Sequence, residues 1–369
     1  MVKCVLAFVA TVIVAASSVV GCSSPSPSPA PTQPTAAPTR TVNEPTKATT
    51  VPAKVPTLAP TQVVVQKIDY PQKGKTITLI VPMEPGGTVD TAARILSPVM
   101  EKKLGVPIQV VNKPGASTQT GSTELVKSNP DGYTLEFISL TNLITTYLEP
   151  ERKAIYTRKD FEPIVMYALE AVTVAVQAES PLKTVQDLVD AAKANPGKFK
   201  MGTSSLKSLP HLAVVALEKM AGLELTYVHF SGGGPVQTAL LGGHVDAAAV
   251  TAGAPLAHVK SGNMRLLGLM DSDGNKFYPG VKTFAAQGYK ANYGVGFGLV
   301  APAKTPKEIV DLLSGAVKNA MEDPDVKKKT DEVGHSVRYM DAKQFGAHWD
   351  EMEGEMRRLL ELADKADTK

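Results

Sequence analysis

Between residues 77 and 133 the chain alternates short apolar runs with helix-spaced apolar positions, and glycine or proline marks each change of period. Ile77, Leu79, Ile80 and Val81 form a run of strand length that Pro82, Pro85, Gly86 and Gly87 stop. Apolar residues return with helical spacing at Val89, Ala92, Ala93 and Leu96. The spacing predicts a strand, a glycine turn and a helix running toward Leu104, with Gly105 as C-cap and Pro98 bending the helix near Ser97. The pattern then repeats: Ile108, Val110 and Val111 precede Asn112, Pro114, Gly115, Ala116 and Gly121, another helical stretch follows, and PDGYTL leads into a third strand, Thr134 to Leu140. Thr141 and Asn142 at its end either offer donors to a pocket or cap the next helix.

Glycines at a strand-to-helix turn let a ligand approach the backbone, and the first amides of the next helix, near Thr88 to Asp90, carry the positive end of its dipole. A tight turn without a ligand is the plainer reading of Gly86 and Gly87 alone. The second loop shifts the balance, because neighbouring βα turns of a parallel sheet gather at its carboxyl edge and together bound one pocket suited to an anion.

The same grammar recurs further on. A β-branched run, Val172 to Val176, leads into a second α/β unit: helix 184–195, strand Lys200 to Thr203, a loop from Thr203 to Ser208 and another helix. Leu225 to Phe230 reads as a strand before the Ser231-Gly232-Gly233-Gly234 turn; helix 235–242 and strand Val245 to Val250 follow. Tyr293 to Ala301 reads as a return to the first unit, and two amphipathic helices close the chain, the last from about Ala342 to Lys365. Two crossings between units make a hinged clamp.

The amino end carries a different pattern. Lys3 is followed by an apolar run, Val5 to Val20, and then Gly21 and Cys22, which together read as a bacterial signal peptide, residues 1–21, ending in a lipobox with Cys22 as the lipidated residue. Ordinary secretion with cleavage elsewhere, or an uncleaved helix, are the rival readings, and the run is short for a membrane span. Residues 22–66 are rich in Ser, Pro, Thr and Ala and read as a disordered tether. At ~3.1 Å per residue in polyproline-like segments it reaches on the order of 100 Å.

Composition narrows the function classes. A net charge of +3 with 20% charged residues carries no basic stripe for nucleic acid. The two cysteines are Cys4 and Cys22, so the folded part has no thiol for a disulfide or a nucleophile. Gly202-Thr203-Ser204-Ser205-Leu206 lacks the second glycine of a nucleophile elbow. The six histidines show no HExxH, and GGGP lacks the lysine and spacing of a Walker loop. A hydrolase is the weakest of the three classes weighed, and neither a metal nor a cofactor is expected.

PGGTVDTAAR, LGVPIQVVNKPGA, Gly121 and PDGYTL, followed in order by GTSSLKSLPHL at 202–212, YVHFSGGGPVQTALLGGHVD at 227–246 and GFGLVAPAKTPKEIVDLL at 296–313, resemble the receptors of tripartite tricarboxylate transporters, the Bug family of periplasmic solute-binding proteins. The resemblance implies an α/β, two-lobed periplasmic-binding-protein type II fold with a hinge and an interdomain ligand cleft. Lobe one is expected at residues 67–168 and 292–369, and lobe two at 169–291. It implies an extracytoplasmic receptor acting as a monomer, which the lipobox reading would anchor to the bacterial cell membrane by its lipid, at the cell surface or in the periplasm. Such a receptor captures a small carboxylate and delivers it to the large and small membrane subunits of its transporter. A receptor presenting its loaded form to a signalling kinase needs the same clamp.

The expected ligand contacts are Gly86, Gly87, Thr88, Asp90, Ser204, Ser205, Ser208 and Gly233, whose short side chains and free amides suit a carboxylate without a dedicated arginine. Asp246 resembles a family aspartate near the cleft floor, with a structural role binding loop amides as the default, and His211 either bonds the neighbouring loop or touches ligand. The chain departs from the family at Met83, Glu84, Ser205 and Lys207. Glu84, pointed inward, would repel a second carboxylate. Lys207 would either supply a cation to the ligand or point to solvent.

Overall fold

The computed structural model describes residues 68–367, so the signal peptide, Cys22 and the tether up to residue 66 lie outside the described residues. The first strand, β1 (Ile77–Val81), is almost wholly buried, and α1 (Thr88–Leu104) follows the glycine turn. Gly105 closes α1 in the left-handed region at φ 72°, its N–H donating to Glu101 O at 2.8 Å. The helix runs through Pro98 without interruption. Next come β2 (Ile108–Asn112), α2 (Gln119–Lys127), β3 (Thr134–Ser139) and α3 (Leu140–Leu148). Strands β2, β1 and β3 lie side by side in parallel, as a βαβ alternation dictates.

The long strand β4 (Phe161–Gln177) then crosses from one part of the sheet to the other. Beyond it the chain forms α4 (Val185–Ala194), β5 (Lys200–Thr203), α5 (Leu209–Ala221), β6 (Thr226–His229) and α6 (Gly233–Leu241). It continues through β7 (Ala247–Thr251), α7 (Leu256–Lys260) and β8 (Met264–Met270), and returns through β9 (Gly294–Pro302). It ends with α8 (Lys307–Glu322), α9 (Pro324–Glu332), β10 (Val337–Asp341) and α10 (Ala342–Asp367).

The first part of β4 pairs antiparallel with β9 on one side and β10 on the other. Its last part pairs with β7 and β8. β9 joins the first group of strands by running antiparallel to β3, while β5 lies parallel between β6 and β7 in the second group. Each group therefore carries parallel βα units whose loops emerge at one edge, and β4 is central to both.

The first group buries Phe137, Tyr167, Phe345 and Trp349 fully. A smaller apolar cluster in the second is built on Val236, Leu240, Val250 and Leu269. Gly121 in α2 is required by close approach: a Cβ there would lie 2.9 Å from Pro82 Cβ and 3.0 Å from Ile80 Cγ2, so the helix sits directly on the end of β1. That contact sets the distance between the two loops that bound the site.

Candidate functional site

A cavity of about 410 Å³ opens where loops after β1, β2 and α3 face loops after β5 and β6. Other hollows exist among the described residues, one of about 460 Å³ at the amino end of β5 and one of about 760 Å³ beside α8. Those two are each lined from one strand group, and a hollow of about 290 Å³ between β8, β10 and α10 draws on both but away from the βα loops; the 410 Å³ cleft draws on both at the strand edge where α/β folds bind ligands.

The turn between β1 and α1 is held by Asp90, whose side chain is buried. Its oxygens accept from Gly86 N at 2.9 Å, Asn112 Nδ2 at 2.9 Å and Arg94 Nε at 3.0 Å. Burial opposes ionisation here, but the bonds from Arg94, Gly86 and Asn112 outweigh it and hold the carboxyl below its usual range. Thr91 N donates to Gly87 O in the first helical bond, so the amides of Thr88, Val89 and Asp90 precede the ladder and point out of the helix start. Gly86 itself takes φ 84°.

The loop between β2 and α2 passes through four successive left-handed residues, Gly115, Ala116, Ser117 and Thr118, at φ 128°, 45°, 54° and 83°. Three of them carry a Cβ, at a cost of about 1–2 kcal/mol each. The surroundings hold this shape: Thr146 Oγ1 donates to Ser117 O at 2.7 Å, and Thr118 is buried with its hydroxyl unpartnered. Thr118 and Ser117 both line the cleft.

From the second strand group, Ser205, Leu206, Lys207 and Ser208 enter the cleft with Ser231. Ser208 Oγ donates to Ser205 O at 2.8 Å, and Gly232 N donates to Ser204 O at 2.8 Å, tying the loop after β5 to the loop after β6. His211 is buried at the start of α5, and its Nδ1 accepts from Lys207 N at 3.0 Å. Burial first, and then the neighbouring His229 and Lys207, push its pKa down to about 4, so the ring is neutral and bonds the loop. Asp246 is structural, accepting from Lys200 N at 2.7 Å, but it is not near the cleft floor: it lines the 460 Å³ hollow at the amino end of β5.

The charges at the cleft pair across it. Lys207 Nζ lies 2.6 Å from Glu149 Oε1 and 2.9 Å from Asp364 Oδ1, joining the loop after β5 to the end of α3 and to α10. Burial opposes the ammonium charge, but hydrogen bonds to Glu149 and Asp364 override it and raise the pKa. Lys207 is thus neither a free ligand cation nor a solvent-facing side chain. Its φ of 56° is the bend that turns it toward Glu149. Arg152 also lines the cleft, with Nε bonded to Glu149 Oε2 at 2.6 Å. Glu84 lines the mouth and is exposed.

Of the expected contacts, Ser205 and Ser208 line the cavity; Ser204 lies directly behind, its Oγ 3.4 Å from Ser208 Oγ. Gly86, Gly87, Thr88 and Asp90 follow Met83 and Glu84 in the chain, but none of the four is among the residues lining the cavity. Gly233 begins α6 just after Ser231. Ser231, from the glycine loop expected to face the site, does line the cavity, whereas Arg152 and Thr118 were not anticipated as lining residues. A cation beside an acidic neighbour, Glu149-Pro150-Glu151-Arg152, was the available signal for the first, but nothing local aims it at loops distant in the chain.

A sequence profile described as the tripartite tricarboxylate transporter family receptor matches residues 92–362. Protein BugT of Bordetella pertussis is 31% identical over 255 residues, covering 69% of this chain and 78% of that protein. Among solved structures, a TctC solute-binding protein from Polaromonas is 29% identical with a TM-score of 0.68, covering 79% of this chain and 99% of that one. MatC (Rpa3494) from Rhodopseudomonas palustris, solved with bound malate, is 26% identical with a TM-score of 0.68 over 78% of this chain and 99% of that one. By profile, relatives and periplasmic-binding-protein fold alike, the chain belongs to the receptor family of tripartite tricarboxylate transporters, the Bug proteins.

Proposed function

We propose that the chain is an extracytoplasmic receptor that captures a small organic acid in the 410 Å³ cleft and delivers it to the large and small membrane subunits of a tripartite transporter. The observation that carries this reading is the convergence of βα loops from both strand groups on one cavity of small-molecule size. Malate bound to MatC supports a carboxylate as the ligand class.

In this reading the amides of Gly86, Gly87 and Thr88 and the loop of Ser204, Ser205, Ser208 and Gly233 hold one carboxylate. Asp90 contributes by fixing the turn, because its oxygens are already bonded. Residues 67–168 with 292–369 form one lobe and 169–291 the other, closing on the ligand about the strand crossings. Cys22 carries the lipid that holds the monomeric receptor at the membrane through the tether of residues 22–66. The role is capture, not catalysis.

The test uses residues 23–369, unfolded and refolded to strip carried-over ligand, in a thermal-shift panel of mono-, di- and tricarboxylates, aromatic acids and acidic amino acids. A ligand at a hundred times its Kd adds roughly 2.7 kcal/mol. A saturable shift with a few related acids is expected. A panel flat at millimolar concentrations of every acid refutes the reading.

A further inference from the structure

Beneath the cleft floor lies a buried polar cluster that the carboxylate site does not use. Glu136, in the middle of β3, is completely buried between Ile80 of β1 and Val300 of β9 in register. Oε1 accepts from Ser122 Oγ of α2 at 2.7 Å, and Oε2 has no partner. The Tyr156 hydroxyl is also buried without a well-formed hydrogen bond; it lies close enough to the Ser122 and Thr118 hydroxyls for bonds to them to lower its pKa, and close enough to the Glu136 carboxyl for that charge to raise it. Thr118 Oγ1 is the third buried, unpartnered atom, and Thr118 lines the cleft. A line of orphaned oxygens thus leads from a sealed carboxyl group to the ligand cavity.

We propose that Glu136 sets the polarity of this hydroxyl line, so that its proton governs how strongly the cleft holds an anion. The proposal rests on the receptor reading above. With the proton on Glu136, its O–H donates to Tyr156, Tyr156 donates to Thr118, and the Thr118 hydrogen points into the cleft as a donor to a carboxylate. The links close as the ligand seats or through a bridging water. Without the proton, Glu136 is acceptor-only. Tyr156 and Thr118 then turn their hydrogens back toward it, Thr118 shows lone pairs to the cleft, and a buried negative charge stands behind them.

The surroundings make the proton retainable near neutral pH. Among the described residues, no charged group of β1, β9 or α2 faces Glu136; burial pushes its pKa up to about 8, against a smaller lowering by the Ser122 bond. Tyr156, the titratable neighbour from the segment after α3, is pushed up to about 12, first by burial, so it stays a neutral hydroxyl in this window. Arg152 is the charged group that reaches Tyr156, and its Nε is engaged by Glu149. Lys207 at the opposite wall is held by Glu149 and Asp364.

The experiment has two readouts on residues 23–369. The first needs no ligand: the protonated-carboxyl infrared band, assigned by its loss in Glu136→Gln, is followed from pH 6 to 9.5. The second is calorimetric affinity over the same range for whichever acid of the panel shifts the midpoint most. The wild-type protein is expected to keep the band to a midpoint near pH 8 and to weaken about thirtyfold between pH 7 and 9.5, the limit for a site that needs one proton with that midpoint. Glu136→Gln is expected to bind with a flat pH profile. Tyr156→Phe is expected to retain the titrating band but lose the pH dependence of binding, a separation that a merely structural tyrosine would not produce.

Tight binding that is unchanged from pH 6.5 to 9.5 in the wild type overturns the proposal and leaves the receptor reading intact. A band already absent at pH 6 also overturns it. Binding of no acid at any pH removes the receptor reading, and the proposal with it.

Discussion

Replacing Asp90 by alanine tests the claim that this residue shapes the site rather than touching the ligand. The buried carboxylate satisfies Gly86 N at 2.9 Å and Asn112 Nδ2 at 2.9 Å, and pairs with Arg94 at 3.0 Å. Alanine removes the side-chain acceptor of Gly86 N and one of the two acceptors of Asn112 Nδ2, which keeps Met83 O at 3.1 Å, at about 0.5–1.5 kcal/mol each. The arginine adds little, because its side chain is 49% exposed and water takes over much of its pairing, about 0–1 kcal/mol. The expected loss is about 1–3 kcal/mol, read as a lower urea midpoint with an unchanged slope at pH 7. Because the folded pKa of Asp90 is depressed, its contribution is complete above the ordinary value of 3.8 and is lost as pH falls through the folded value. The gap between the parent and the alanine variant therefore narrows in acid. Absolute affinities across the acid panel are expected to fall together while their ranking stays the same. A variant within about 0.5 kcal/mol of the parent at pH 7, a difference no larger than that of an ordinary surface substitution, would refute the reasoning.

Two further outcomes follow from charges away from that turn. Lys207→Ala breaks contacts at 2.6 Å and 2.9 Å; with Asp364 largely exposed, the stability loss in urea is about 1 kcal/mol and smaller at 1 M NaCl. Glu170, fully buried in β4, has its pKa raised to about 7 by burial, against lowering by Thr251 and Gly253. The folded protein therefore holds a proton that the unfolded chain has already released, and stability declines as pH rises from the ordinary value of 4.5 to about 7. Glu170→Gln removes that decline, gaining on the order of 2–3 kcal/mol at pH 8 relative to the parent; parallel midpoint-versus-pH curves for the two proteins would contradict this.

Local signals carried much of the fold. The stop of an apolar run at Pro82 and its helical resumption at Val89 are properties of neighbouring residues, and they give β1, the turn and α1 within a residue or two. Gly105 as C-cap and the loops after β5 and β6 were legible for the same reason. β4 was read only from Val172 to Val176, because Pro163 and the acids Glu162 and Glu170 mask the start of a 17-residue strand that tertiary pairing sustains. At the site, glycine turns announced themselves, whereas the Lys207–Glu149–Asp364 group joins positions scattered over the chain and has no periodic trace. Asp90 shows the limit from the other side: its i,i+4 spacing to Arg94 was visible, but the bond to Asn112 that consumes its remaining capacity depends on how β2 lies beside β1. Glu136 is a lone acid in an apolar strand, and its burial on both sides follows from the pairing of β3 with β1 and β9, which no neighbouring residue announces.

The shared strand β4 has a mechanical consequence. Val165 and Met166 are sandwiched between β9 and β10, and Val172 between β7 and β8, on one unbroken backbone. Melting either strand group withdraws the middle rung of the other. Residues 68–367 therefore unfold as one cooperative body, and energy gained at the cleft is felt by the strands farthest from it.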